Sequence, residues 1–484
     1  MTIMRKHLLL GTVLMCGAFL SSLSAADVSK DPATYAARGA NGQYKLDNKW
    51  LYSNALGNYN AAADLIGTAN YVRGMISKDG KLYFIDREKK QLTVVNGTTG
   101  AKEAPVKLAS NIFTYMGRNK ANTADSTYVA GTLPFNDIKI DNAGNVLIGN
   151  CITSNAGRFQ IWKVDLATGA GTLVLDESTL ATEFPTATTL RFDAFGVYGD
   201  ITKNAIIMAA NANAVEAYKW TYTNGVLTAG PELISIDNIT AGTYLTGLLN
   251  PGSAPQIFPV DFDYFYLDGN ATYPTLIDMD GNIIDGFYNN PLALNDTITS
   301  PGSTWTMNQG HNGVQEFQIG DEYFLLMAAT NTAKAPNSSF RLFKFKDAAK
   351  EFKDLECLWT FPQAGMGGAS NSYRTAVPYV EVSGTTANLF VYAGENGYGV
   401  YHFDTKGTVG ISKEVDASAV TAIAKGKTVS LSESVALVKV VSLTGQVLST
   451  SVNTDKVTVP ASGLYLLQIT SASGKTSVSK VAVK

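Results

Sequence analysis

Lys78-Asp79-Gly80-Lys81-Leu82-Tyr83-Phe84-Ile85, then Leu92-Thr93-Val94-Val95 and the closing turn Asn96-Gly97-Thr98-Thr99-Gly100, is the phrase that decides the fold. Its Asp-Gly and Thr-Gly turns supply the positive φ angles that tight hairpins need. The strand Leu82-Tyr83-Phe84-Ile85 is apolar at every position, as a strand is when neighbouring sheets cover both of its faces. The phrase returns at Asp141-Asn142-Ala143-Gly144-Asn145 with Val146-Leu147-Ile148-Gly149, and its partner strand, residues 159–165, ends at Thr168-Gly169. Looser copies pair residues 205–208 with 217–222, 262–266 with 275–278, 323–327 with 340–345, and 389–392 with 399–404. In the second strand of a pair, Trp162, Val164 and Leu166 alternate with Lys163 and Asp165, so one face is wetter.

Six copies spaced by about 50–65 residues predict an all-β chain with a six-bladed β-propeller over residues 42–404. The count becomes seven-bladed if residues 227–249 form a further blade. Asn48-Lys49-Trp50-Leu51-Tyr52 precedes the first copy and is expected to join the last blade and close the ring. Radial closure removes most of the exposed sheet edges that invite aggregation. No long segment shows a 3.6-residue period, which excludes a helical solenoid.

The ends of the chain read differently. Arg5 and Lys6 precede an apolar run to Leu20, and small residues follow to Ala26, the order of a secretory signal peptide over residues 1–26. Without it, 36 basic residues face 41 acidic ones, a mild excess spread along the chain. No Lys/Arg cluster suits a phosphate backbone, so nucleic acid is not an expected partner. No other apolar run is long enough to be a transmembrane segment. Cys151 and Cys357 lie far apart and are read as buried free thiols rather than a disulfide framework. Residues 405–414 read as a linker. Residues 415–484 turn to Val, Ser, Thr and Lys in short strands, expected at 436–443, 446–449, 456–459, 465–470 and 477–483, and predict a small immunoglobulin-like β-sandwich.

Two resemblances follow from these residues. Val440-Val441-Ser442-Leu443-Thr444-Gly445-Gln446-Val447, Gly463-Leu464-Tyr465-Leu466-Leu467-Gln468-Ile469 and Lys480-Val481-Ala482-Val483-Lys484 resemble the C-terminal sorting domain of the type IX secretion system. That resemblance implies the outer-membrane secretion machinery as a partner and a cell-surface or extracellular destination, the periplasm being the alternative. The tail is richer in Ser and Thr than that family and lacks its Asn-Pro opening. Asn70-Tyr71-Val72-Arg73-Gly74-Met75, Ile85-Asp86-Arg87, Asn136-Asp137-Ile138 and residues 144–150 resemble an uncharacterised propeller-like domain family of secreted Bacteroidota proteins. This second resemblance implies a fold and a habitat, and no activity.

Chemistry-bearing motifs are sparse. No Gly-x-Ser-x-Gly elbow and no phosphate-cradling Gly-x-x-x-x-Gly-Lys-Ser/Thr loop occurs, so no cofactor is expected. Two usable histidines, His311 and His402, are too few for a multi-histidine metal site, and no metal is expected. Asp278-Met279-Asp280-Gly281-Asn282 resembles the start of a calcium loop, lacks the distant bidentate Glu, and reads as a hairpin turn. Trp305 and Tyr373 lie in loops and have rings able to stack on a sugar.

The candidate site consists of polar residues expected where the chain enters the innermost strands: Arg73, Asn136, Asp137, Asp261, His311, Asn312 and Arg374. One reading has them bonding to channel water and neighbouring blades. The other is a ligand pocket whose two guanidinium groups suit an acidic or hydroxyl-rich ligand. The first functional expectation is therefore a secreted or cell-surface non-catalytic binding or scaffold protein, recognising a glycan or protein through a propeller face. The second is a propeller glycoside hydrolase or lyase. It requires Asp137, Asp261 and His311 in one pocket, with carboxylates held about 5–9 Å apart.

Overall fold

The computed structural model describes residues 31–59, 71–113, 132–184, 190–236, 238–239, 247–248, 250–270, 272–289, 313–329, 338–369, 371, 375–406, 420, 422–442, 446–472 and 476–483. The proposed signal peptide and most of the linker lie outside them. Backbone contacts divide the chain into two compact units, Met1–Gly407 and Thr408–Lys484. No helix among the described residues is long and apolar enough to cross a membrane.

The first unit is a β-propeller. Among its described residues, six antiparallel sheets contain four strands each. Five are built from consecutive strands. Their innermost strands are Val72–Lys78, Thr132–Ile140, Gly196–Gly199, Gln256–Pro259 and Val314–Ile319. The sixth runs Ala376–Ser383, Thr386–Ala393, Gly397–Asp404 and takes its outer strand, Lys45–Ser53, from the other end of the unit. Lys45 lies opposite Asp404 and Ser53 opposite Gly397. The segment around Asn48–Tyr52 thus joins the last sheet.

The core is divided into wedges, because each sheet packs its apolar faces against its two neighbours. Trp162, Ile148, Ile85 and Val94 lie between the first and second sheets. Phe159, Trp220 and Tyr218 lie between the second and third. Ile206, Met208, Phe265 and Leu267 lie between the third and fourth, and Tyr266, Phe287, Met327 and Phe343 between the fourth and fifth. Phe324, Trp359, Leu389 and Phe403 join the fifth to the sixth, and Phe84, Val72, Tyr392 and Tyr398 join the sixth back to the first. Apolar runs such as Ala205–Ala210 are buried throughout because both faces meet other sheets, whereas the outer strands Lys102–Lys107 and Val226–Ser235 are mostly exposed.

Innermost strands approach one another so closely that glycine is required at three places. A Cβ on Gly74 would lie 2.8 Å from the Ile138 nitrogen, one on Gly196 2.3 Å from Pro259 Cδ, and one on Gly313 2.5 Å from Pro378 Cδ. These are the junctions between the first and second, third and fourth, and fifth and sixth sheets. Pro259 and Pro378 are tolerated because an innermost strand has no hydrogen-bonded neighbour on its axial side.

The antiparallel order gives the two ends of the axis different characters. One end, the turn face, carries the first-to-second and third-to-outer turns. The other, the loop face, carries the ends at which the chain leaves one sheet and enters the next. Turn-face hairpins are short and self-satisfied. Asp141 accepts the N–H groups of Ala143 and Asn145, and Asp278 accepts those of Asp280 and Asn282 in the same way. The latter geometry is a hairpin turn, with Gly281 at φ 93°.

The second unit is one sheet of five strands, Ala422–Lys425, Thr428–Val441, Val447–Thr458, Gly463–Thr470 and Thr476–Val483. Long Thr428–Val441 pairs with both the third and fourth of these. Val429, Val438, Val457, Leu467, Ile469 and Val481 share one apolar cluster. The segments expected as separate strands at 446–449 and 456–459 belong to one strand, Val447–Thr458, because the irregularity between them, with Asn453 at φ 48°, is taken up by a bulge in the partner between Ser430 and Val435.

Candidate functional site

Three of the expected site residues come together on the loop face. Arg73 and Asn136 both lie in irregular stretches of innermost strands, where pairing shifts between Val72 and Met75 and between Leu133 and Asp137. Phe135 adopts φ 51° inside the second of these stretches. Such bulges re-aim side chains out of the ladder. Arg73 Nη1 reaches Asp193 Oδ1 at 3.3 Å, and both side chains are buried. Arg191 grips the same carboxylate with two donors, Nε to Oδ2 at 2.6 Å and Nη2 to Oδ1 at 2.7 Å. The Asn136 amide donates to the Asp193 carbonyl, and Arg87 Nη1 donates to Asn136 Oδ1 at 3.5 Å.

Asp137 is committed to structure on both oxygens. Its Oδ1 accepts from Lys139 Nζ and the Ile138 N–H at 2.9 Å each, and its Oδ2 accepts from the Phe195 N–H at 3.1 Å. It therefore fastens the second sheet to the start of the third. The buried Cys151 thiol lies 3.7 Å from Asp193 Oδ1, and burial, aided by that carboxylate, pushes it up to about 12. It is a thiol at neutral pH and an inert one. Neither Cys151 nor Cys357 is in a disulfide.

Asp261 does not join this group. The sequence suggests a strand through residues 262–266, with Asp261 where the chain enters it. The innermost strand is instead the preceding Gln256–Pro259, and Asp261 lies in the turn that leaves it, on the turn face. Its Oδ1 accepts the N–H groups of Asp263 and Tyr264 at 2.8 Å each. The strong aromatic pattern after Asp261 masks the short, proline-bearing strand before it. His311, Asn312 and Arg374 lie outside the described residues, as do Trp305 and Tyr373. His402 is structural: its Nδ1 is 3.0 Å from Asn388 Oδ1, and burial followed by the nearby Lys49 lowers its pKa.

Arg191 and Asp193 were missed by the sequence reading. The signal is Leu190-Arg191-Phe192-Asp193, in which the two apolar side chains are buried and the two charged ones pair. Asp268 was also missed. It is fully buried and accepts from the Gly269 and Gly313 N–H groups at 2.7 and 2.8 Å, and burial raises its pKa well above the ordinary carboxylate range.

A cavity of about 570 Å³ lies on the axis, lined by residues from the innermost strands of all six sheets. It extends to the turn face, where Asp141, Asp261, Gln318 and Lys350 line it. Its carboxylates are largely engaged. Glu316 accepts from Lys350 Nζ at 2.7 Å and from the Tyr266 hydroxyl at 2.8 Å. Asp141 Oδ2 accepts from Asn145 Nδ2 and the Ile201 N–H, both at 2.8 Å. Among the described residues no group of three His, Cys, Asp or Glu side chains is placed to hold a metal ion.

The chain matches no described protein family, and no curated protein is similar to it. Solved structures similar to it include a DUF4623 family protein from Bacteroides eggerthii, at 12% identity and a TM-score of 0.49, covering 69% of this chain and 71% of that one. Another is a PQQ-bound aldose sugar dehydrogenase from Streptomyces coelicolor, at 12% identity and a TM-score of 0.37, covering 75% and 98%. A third is a calcium-binding regucalcin from Agrobacterium tumefaciens, at 13% identity and a TM-score of 0.34, covering 69% and 89%.

Proposed function

We propose that this chain is an exported, non-catalytic binding or scaffold protein that recognises a glycan or protein through a face of a six-bladed propeller. The axial cavity carries the reading: it is about 570 Å³, a size suited to a ligand, and two of its carboxylates, Asp141 and Glu316, are occupied by internal donors. Glycoside hydrolysis needs two carboxyl groups, one to donate a proton and one to attack or activate water. Asp137, on which the hydrolytic alternative depends, is bonded to Lys139 and two backbone N–H groups. The C-terminal unit, read as a sorting domain, delivers the propeller to the cell surface or the medium. The uncharacterised Bacteroidota propeller family is the home this reading assigns to the first unit.

The test uses the mature full-length chain on a glycan array and in pull-downs from surface extracts, with the bound glycans then analysed by mass spectrometry. Retention of an unaltered ligand supports the proposal. Shortened or unsaturated products would overturn it in favour of the hydrolase or lyase.

A further inference from the structure

We infer that the axial cavity opens on the turn face as a site for a neutral saccharide, held against the exposed ring of Phe262. This deepens the binding reading above and rests on it.

Beside the cavity, on the turn face, stands an exposed aromatic ring braced by a lining one. Phe262 is 47% exposed, a high value for a large apolar ring in a tight turn beside Asp261. It packs edge-to-face on Tyr198 with centroids 5.0 Å apart, and Tyr198 itself lines the cavity. Tyr198, from the cavity wall, thus holds Phe262 next to lining Asp261, where its exposed ring can meet a flat, C–H-rich pyranose face that reaches out of the cavity. Isolated exposed apolar residues are ordinary on protein surfaces. This one is braced by a cavity-lining ring and sits beside a cavity-lining carboxylate.

The interior selects by charge. Lys139 is neutralised by Asp137 at 2.9 Å and Lys350 by Glu316 at 2.7 Å. Asp141 and Asp261 remain as lining carboxylates with no cationic partner among the described residues. The residual charge is negative, so an anionic ligand is repelled. Hydroxyl groups, by contrast, accept from amides and donate to a carboxylate oxygen such as Asp261 Oδ2, since the Asp263 and Tyr264 N–H groups both use its Oδ1. Gln256 and Gln315 line the cavity to supply those amides, and Gln315 uses its Oε1 to accept the Val380 N–H at 2.9 Å, which leaves its amide nitrogen for donation.

The experiment is calorimetric titration of the mature chain with neutral cello-, manno- and xylo-oligosaccharides and with anionic oligogalacturonate, for the parent, Phe262→Ala, Tyr198→Leu and Arg191→Ala. Binding of at least one neutral series is expected, weakened about tenfold or more by Phe262→Ala and by Tyr198→Leu, and unchanged by loop-face Arg191→Ala. Phe262 is exposed, so its variant should melt with the parent. Binding restricted to oligogalacturonate, or neutral binding that Phe262→Ala leaves within about twofold, overturns the inference. Ligand binding that only Arg191→Ala abolishes overturns it while the binding function stands. If neither these sugars nor the array and pull-down screens yield a ligand, both fall.

Discussion

Substituting Gly196 by alanine tests the closeness of the ring. The added methyl would stand 2.3 Å from Pro259 Cδ and 2.6 Å from the Ile257 carbonyl oxygen. Neither neighbour is the free end of a flexible side chain. The third and fourth sheets must therefore separate, at the cost typical of overpacking, about 1–3 kcal/mol. A unit of about 360 residues unfolds with an entropy near 0.76 kcal/mol/K, so the melting temperature should fall by about 1–4 °C. Circular dichroism melting at a fixed scan rate reads this directly. Pro259→Ala removes the closer of the two clashes, so the double variant should recover part of the loss, a coupling that a merely local effect would not produce. A Gly196→Ala protein melting within about 0.5 °C of the parent would refute the close approach of these innermost strands.

Other consequences are measurable in the same way. Asp193→Ala removes the carboxylate shared by Arg73 and Arg191 and should cost about 3–5 kcal/mol by urea denaturation, since it strands buried positive charge. Asp268 has a raised pKa, so its contribution favours the folded state below the unfolded carboxylate value and is lost as pH rises toward the folded one. Asp268→Asn should therefore cost most near pH 4 and least near pH 8, and a penalty that grows with pH would contradict the burial argument. Cys151 should resist a thiol reagent in the native protein and react only at the rate of unfolding, because it is buried and protonated at neutral pH. Deleting residues 415–484 should leave the propeller's melting transition in place and retain the protein in the periplasm. Unchanged surface and medium levels would rule out the sorting role.

Turn chemistry and two-sided burial made much of the fold legible. Asp141 through Asn145 and Asp278 through Asn282 close hairpins through the same Asx bonds, and their sequences say so. Runs such as Leu82-Tyr83-Phe84-Ile85 show burial on both faces, but those runs are the second strands of their sheets. Innermost strands are harder to read. Gln256–Pro259 is short and contains a proline, and Arg73 and Asn136 lie where pairing slips. That is why the sequence pattern puts Asp261 at the start of a strand when it leaves one. The Arg73–Asp193–Arg191 cluster joins residues 120 positions apart, and only the closing of three sheets brings them together. The axial cavity was hidden for the same reason, since every sheet contributes to it and no single segment describes it.

Hydrogen–deuterium exchange of the mature chain, with and without the tightest ligand from the array and pull-down screens, shows whether the ligand sits on the propeller axis. Ligand-dependent protection is expected in peptides that cover the innermost strands and their turn-face hairpins, above all Gln256–Pro259, Val314–Ile319 and Ala376–Ser383. Protection confined to outer strands such as Val226–Ser235, or to the C-terminal strands, with the axial segments unchanged, would contradict it.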